Sequence, residues 1–319
     1  MQGNGIGEVE IDHLALWGSS ATPVVSLDTF YGLSSIHHFN LVQSGVGNGV
    51  QINWGATYEI HNSYIVGASY AAINLGAART GVGVYVAQST SSSGLQSIRK
   101  FTVAGWNTPI QIGVPGGTSY AYAASITDVE ISYCYKGIWL TDRCESASVS
   151  ECYFEGQDAG FCVLDDGNYN RVKDSFFFFS SGSLSAYVML SSTMAAKFGS
   201  RYEGNTFYMF NVANTVGLDI SSNAVNGGPG KVASRNHFIL SAGTAGVIGL
   251  RINGVDPRVE VASNDFQPAG AWTGAGTLRI NNISTSSWIT RHTLWLARIQ
   301  PRLAVISSRP QTLKLAATT

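Results

Sequence analysis

The chain carries little charge. Asp, Glu, Lys and Arg make up 12% of its 319 residues, about half the usual quarter, and they balance to a formal net charge of −1. A nucleic-acid partner calls for a basic surface that neutralises phosphates, so none is expected. No apolar run approaches the ~20 residues of a membrane-spanning helix, so membrane insertion is not expected either. The opening MQGNGIGEVEI lacks the basic and apolar regions of a secretion signal. Cysteine is sparse, at 134, 144, 152 and 162 only. No CxxC pair points to a metal site, and four buried, reduced thiols are expected. Acid is missing altogether from Phe266 to Thr319, a stretch that holds Arg279, Arg291, Arg298, Arg302, Arg309 and Lys314.

Glycine and aromatics are plentiful: 36 Gly, 14 Tyr, 14 Phe and 7 Trp. Disordered chains lack such rings, so this one folds. Its organisation is one loose phrase, repeated. A β-branched or aromatic residue leads at Ile11, Ile36, Ile60, Ile98, Ile126, Val149, Val172 and Tyr202, then at Ser234 and Val261. The third place onward holds Leu14, Phe39, Ser63, Phe101, Val129, Cys152, Ser175, Asn205, His237 and Asn264. The fifth is apolar throughout: Leu16, Leu41, Ile65, Val103, Ile131, Phe154, Phe177, Phe207, Ile239 and Phe266. After a loop, a second alternating segment carries Val25, Val50, Ile73, Ile110, Ile138, Cys162, Val188, Leu218, Leu250 and Leu278.

Period-2 alternation in short segments means strands, and a repeat of 20–40 residues means stacked units. Strands that recur once per turn pair in parallel with the next turn. The predicted fold is therefore all-β: a parallel β-helix of about ten coils over residues 8–283, followed by a different segment, 284–319. At the third place, small or polar side chains such as Asn can cap the backbone of the next turn; His237 falls there and is expected to point inward. The 284–319 segment reads equally as a trimerising or docking element and as a frayed tail.

The pattern Ile/Val-x-x-[Asn, Cys, Ser]-x-aliphatic, then Gly-aliphatic-x-Leu, resembles the right-handed parallel β-helix of the pectate-lyase-like superfamily. Within it the chain looks like bacteriophage tailspike proteins, sharing their low charge and their wealth of Gly, Ser and aromatics. That resemblance implies a homotrimer on a virion tail. Since the repeat begins within the first dozen residues, the expectation is either a fragment of a longer spike or attachment through a tail or baseplate adaptor protein. It also implies that the spike binds, and usually cleaves, a bacterial surface polysaccharide at the cell surface, without a cofactor.

Candidate chemistry lies in the acids that close two turns, LTD142 and LDD166. If Leu140 and Leu164 are equivalent, Asp142 and Asp166 stack one rung apart, about 4.8 Å at the backbone, with Asp165 beside them. Close carboxylates push one pKa up, which supplies the acid and base of glycoside hydrolysis. The pair also resembles part of the polygalacturonase signature, although Leu140 stands where that family has Asn and its Gly-His-Gly is absent. Turn capping by Asp142 and Asp166 is the competing reading.

Lys136, Trp139 and Arg143 flank these acids as substrate-binding candidates. A second face sets Glu130, Tyr153, Glu155, Phe176, Phe178 and Tyr208 outward on consecutive turns, either as a saccharide groove or as a surface covered in a trimer. A third column, Asp219, Arg251 and Arg279, can fork a sugar carboxylate or pair within itself. A glycosidase spike is the leading reading; a non-catalytic receptor-binding spike and a polysaccharide lyase are the alternatives.

Overall fold

A computed structural model of the chain describes residues 2–3, 6–7, 9–67, 80–155, 160–179, 187–193, 198–209, 214–222, 230–241, 247–254, 259–269, 276–280 and 293–294. All regular structure among these residues is β, and every strand pairing is parallel. One sheet holds eleven strands, from Gln2–Gly3 and Val25–Leu27 through Ile138–Leu140 and Gly160–Asp165 to Gly276–Ile280. The remaining long strands form two further ladders joined by a bend in each coil. Each coil thus contributes one strand per ladder, and the chain is a parallel β-helix.

The leading residues form one interior column. Ile36 pairs with Ile60, Ile98 with Ile126, Val149 with Val172 and Val172 with Tyr202, and all seven are fully buried. Two places on, each coil bends through a residue of positive φ: His13, His38, Asn62, Lys100, Asp128, Glu151, Asp174, Gly204, Arg235 and Ser263. Left-handed backbone costs a non-glycine residue roughly 1–2 kcal/mol, so its recurrence in nine side-chain-bearing places marks it as the geometry of the bend itself.

Next to the bend, Asn205, Asn236 and Asn264 form a ladder. Each Nδ2 donates to a carbonyl one coil back, Val172, Tyr202 and Ala233 respectively, all at 2.9 Å. Each Oδ1 accepts from the backbone N–H of the preceding coil's bend: Ser175 to Asn205 at 3.2 Å, Asn205 to Asn236 at 3.1 Å, Asn236 to Asn264 at 3.0 Å. The capping role expected of this column is what the amides perform. Inside it, Phe154, Phe177, Phe207, Phe238 and Phe266 stack with centroids 4.7–4.8 Å apart. The spacing equals the strand spacing, so each ring meets its neighbour offset and nearly parallel, an arrangement that adds about 0.5–1.5 kcal/mol per pair beyond burial.

Two readings of the repeat are corrected by register. Phe207 pairs with Phe238 and Tyr202 with Ala233, so the ninth phrase begins at Ala233 rather than Ser234 and its third place is Asn236. His237 consequently faces outward, 3.2 Å from Gln267 Oε1 and 3.3 Å from Asp265 Oδ2. Ile73 lies outside the described residues; the strand that continues the eleven-stranded sheet in that coil is Val82–Val86, with Val84 between Val50 and Ile110.

All four cysteines are free and buried; burial pushes the Cys144 thiol well up and that of Cys152 to about 12, so neither is a ready nucleophile. The 284–319 segment lies outside the described residues apart from Thr293–Leu294, which pairs with Asp265 and Phe266.

Candidate functional site

The acids that close the turns do not stack as the repeat suggests. Ile138 pairs with Val163 and Leu140 with Asp165, so Leu140 and Leu164 are not equivalent and neither are Asp142 and Asp166. The apolar run FCVL has two period-2 readings, and a slip of one residue exchanges the faces of every side chain. Asp165 therefore enters an interior column shared with Ile112, Leu140, Ser192, Ile220 and Ile252, at 0% exposure.

Its Oδ1 accepts from Asn170 Nδ2 at 2.7 Å and from the Gly167 N–H at 3.1 Å, and its Oδ2 from the Tyr202 hydroxyl at 2.6 Å. Burial pushes this carboxyl up from the ordinary carboxylate range, opposed by the Tyr202 and Asn170 hydrogen bonds and by the charge of Lys231. Lys231 is itself buried, with Nζ donating to Thr193 O at 2.9 Å and Ser221 O at 2.8 Å. A carboxylate sealed among these partners cannot reach a polysaccharide. Asp165 is a structural residue, and its assignment to the chemistry is corrected here.

Asp166 and Asp142 do face outward, each tied to neighbours. Asp166 Oδ2 accepts from Trp139 Nε1 at 2.7 Å, and its Oδ1 from the Thr193 hydroxyl. Asp142 Oδ1 caps the Gly116 N–H at 2.9 Å, in a turn where Gly116 has φ +65°. Its Oδ2 lies 3.4 Å from Arg143 Nε. Arg143 also donates to the Tyr120 hydroxyl at 2.7 Å and lies over that ring, 5.1 Å from its centroid. Lys136 sits over both Trp139 and Phe161, at 5.8 and 5.7 Å. Two and three coils beyond Asp166, Asp219 is forked by Arg251 through Nε at 3.0 Å and Nη2 at 2.6 Å, and Asn253 gives Asp219 a third bond at 2.8 Å. The guanidinium fork is thus turned onto Asp219 within the column. Arg279 continues it in backbone register with Arg251.

The outward ladder beyond the bend is placed as the repeat predicts. Thr102 pairs with Glu130, Glu130 with Tyr153 and Tyr153 with Phe176; Glu155 pairs with Phe178 and Phe178 with Tyr208. The rings are continuous, Tyr153 on Phe176 at 5.8 Å, Phe176 by Phe178 at 6.4 Å and Phe178 on Tyr208 at 5.3 Å. The Tyr153 hydroxyl donates to Glu155 Oε2 at 3.2 Å.

Beside this ladder runs an open groove of about 460 Å³ lined by Lys100, Thr102, Asp128, Glu130, Glu151 and Tyr153, with Phe101 and Val129 behind them. It crosses three consecutive coils. Asp128 and Glu151 come from the positive-φ bend place on neighbouring coils, about 4.8 Å apart at the backbone by strand spacing, while Glu130 reaches in from the ladder. Three carboxylates, one ammonium and a ring edge therefore share one concave strip. Lys100, Thr102, Asp128 and Glu151 were not singled out from the sequence, yet the signal was there: Lys100, Asp128 and Glu151 each stand two places after a leading residue, in a column polar in most coils.

No protein-family model matches the chain, and no curated protein does. Among solved structures the chain is similar to the tailspike protein of Escherichia coli bacteriophage HK620 in complex with a pentasaccharide. That likeness has a TM-score of 0.46 at 12% identity and covers 81% of this chain and 60% of that one. It is also similar to an alginate lyase from Paenibacillus sp. strain FPU-7, with TM-score 0.46, 11% identity and coverage of 85% and 99%. A third is tailspike protein 2 of the E. coli O157:H7 bacteriophage CAB120, with TM-score 0.42, 11% identity and coverage of 86% and 38%. The chain spans about three fifths of the HK620 protein's length.

Proposed function

We propose that this β-helix binds a bacterial surface polysaccharide along the Lys100–Tyr153 groove and hydrolyses it there, as a tailspike-like depolymerase of a virion tail. The observation that carries the reading is the groove itself. It is open at the surface, crosses about two rung spacings of roughly 4.8 Å, and gathers Asp128, Glu130 and Glu151 beside Tyr153. Glycoside hydrolysis uses two carboxyl groups, about 5–5.5 Å apart in retaining enzymes and about 6.5–9.5 Å apart in inverting ones. Neighbouring coils supply the shorter spacing, and coils plus a two-residue offset supply the longer. Tyr153, with the rings of Phe176, Phe178 and Tyr208 running on from it, offers flat apolar surface for sugar faces at one end.

Three acids against one Lys make the strip acidic, which favours a neutral glycan over a uronate polymer and disfavours a lyase. In the tailspike-like assembly three copies join side by side, with a tail or baseplate adaptor holding the spike to the virion. Asp142 and Asp166, with Trp139, Lys136 and Arg143, form the second place to test.

The test measures reducing ends and unsaturated-product absorbance on a panel of capsular, exopolysaccharide and O-antigen preparations. Glu130→Gln and Glu151→Gln should each lower the hydrolytic rate by about 10²–10⁴-fold, while Asp142→Asn and Asp166→Asn stay within a few-fold of the parent. The reverse pattern moves the chemistry to the Asp142 strip. Unsaturated products identify a lyase, and tight binding without any product identifies a non-catalytic receptor-binding spike.

A further inference from the structure

Six histidines occur in the chain, and four of them stand together on the first three coils. Register brings them there. Asp12, His37 and His61 occupy equivalent places on consecutive rungs, and His13, His38 and Asn62 occupy the positive-φ bend place next to them. His37 stacks on His61 with centroids 4.8 Å apart, and His13 stacks on His38 at 4.9 Å.

Within the cluster three donor atoms converge. His37 Nδ1 and His38 Nδ1 are 2.8 Å apart, and Asp12 Oδ1 lies 3.0 Å from the first and 3.2 Å from the second. Ligands held about 2.0–2.1 Å from a zinc-like ion stand about 2.8–3.0 Å from one another at octahedral angles and about 3.3–3.4 Å at tetrahedral ones. The triangle therefore has the dimensions of one face of such a shell.

The surrounding groups fit the same reading. His37 Nε2 is 3.0 Å from Glu10 Oε1, the carboxylate–imidazole arrangement that leaves the lone pair on Nδ1, facing the triangle. Asp12 Oδ2 is held by His13 Nδ1 at 2.5 Å. The Asn62 amide lies 3.4 Å from His38 Nε2 and, turned over, accepts from that ring N–H. His37 is buried while Asp12 and His38 remain partly open to solvent, so the triangle has both a rigid wall and an entry path. Two imidazole nitrogens and one carboxylate oxygen suit Zn²⁺, Ni²⁺, Cu²⁺ or Fe²⁺ and are poor ligands for Ca²⁺ or Mg²⁺.

We propose that Asp12, His37 and His38 form a divalent transition-metal site that clips the first coil of the β-helix to the second, with Glu10, His13 and Asn62 orienting the ligands. None of these residues lines the groove, so the proposal stands apart from the proposed activity.

The test uses the untagged full chain, stripped with a chelator and returned to metal-free buffer. Zn²⁺ titrated in competition with a chromophoric chelator should bind at one equivalent per chain and raise the melting temperature. Co²⁺ should give visible d–d absorption from an ordered site, and Mg²⁺ and Ca²⁺ should do neither. Asp12→Asn and His38→Asn, the latter keeping a residue at ease in the left-handed region, should weaken Zn²⁺ binding by tenfold or more and abolish the thermal shift. Glu10→Gln should weaken it by about 10–100-fold, and His237→Asn should change nothing. The metal-free melting temperatures of Asp12→Asn and His38→Asn report whether either variant still folds. A parent chain that takes up neither Zn²⁺ nor Co²⁺, or folded variants that bind as tightly as the parent, would overturn the proposal.

Discussion

Replacing Asp165 separates a structural acid from a catalytic one. Asp165→Ala removes the acceptor of three buried hydrogen bonds, from Asn170, Gly167 and Tyr202, and takes the nearby carboxylate from buried Lys231. Hydrogen bonds to a charged group contribute about 1.5–3 kcal/mol each, offset by the cost of burying the charge. Removing one member of a buried charged set costs about 3–5 kcal/mol, and that is the expected loss. Asp165→Asn keeps the shape. Its Oδ1 still accepts from Gly167 and Asn170, while its new amide hydrogens face a Tyr202 hydroxyl that can turn to accept, so about 1–2 kcal/mol is expected.

The pH dependence has a definite sign. With the folded pKa raised above the ordinary 3.8, the folded state holds the proton more tightly than the unfolded one. The associated stability is complete below pH 3.8 and is lost as pH rises through the folded value. Asp165→Asn should remove that slope. Urea unfolding of the parent and both variants between pH 3 and 7 measures all of this. An Asp165→Ala chain as stable as the parent would refute the structural role, as would a fully stable Asp165→Asn chain that had lost hydrolysis by 100-fold or more.

Two further outcomes follow from the stacking. Asn236→Ala loses the amide that serves the Asn205 N–H and Nδ2 and the Tyr202 carbonyl, and should cost about 2–4 kcal/mol in urea titration. Asn236→Ser should cost about half as much, since Ser175 caps the same place two coils earlier, accepting from Cys152 N–H at 3.2 Å. Gly137→Ala would set a Cβ 1.6 Å from the Cys162 carbonyl oxygen, backbone against backbone. The coil must part to admit it, so little soluble protein should be recovered on expression.

The sequence by itself determined the β-helix and most of its interior. Ile36, Ile60, Ile98, Ile126 and Val149 are spaced so that only parallel stacking buries them all, and strict alternation around the bend then forces Glu130, Tyr153 and Glu155 outward. The groove acids Asp128 and Glu151 follow from the same count, two places after Ile126 and Val149. Where two inward choices were equally apolar, sequence had no preference. FCVL, followed by DD, reads in either phase, and so does HFIL at His237.

Those choices were made by residues far along the chain. Tyr202 and Lys231, brought round by later coils, make an interior Asp165 tolerable, and Asn264 and Phe266 hold the neighbouring coil with Asn236 and Phe238 inward. The histidine triangle is of the same kind. Asp12 and His38 lie 26 residues apart, and their convergence depends on how one coil lands on the next, which only the folded stack decides.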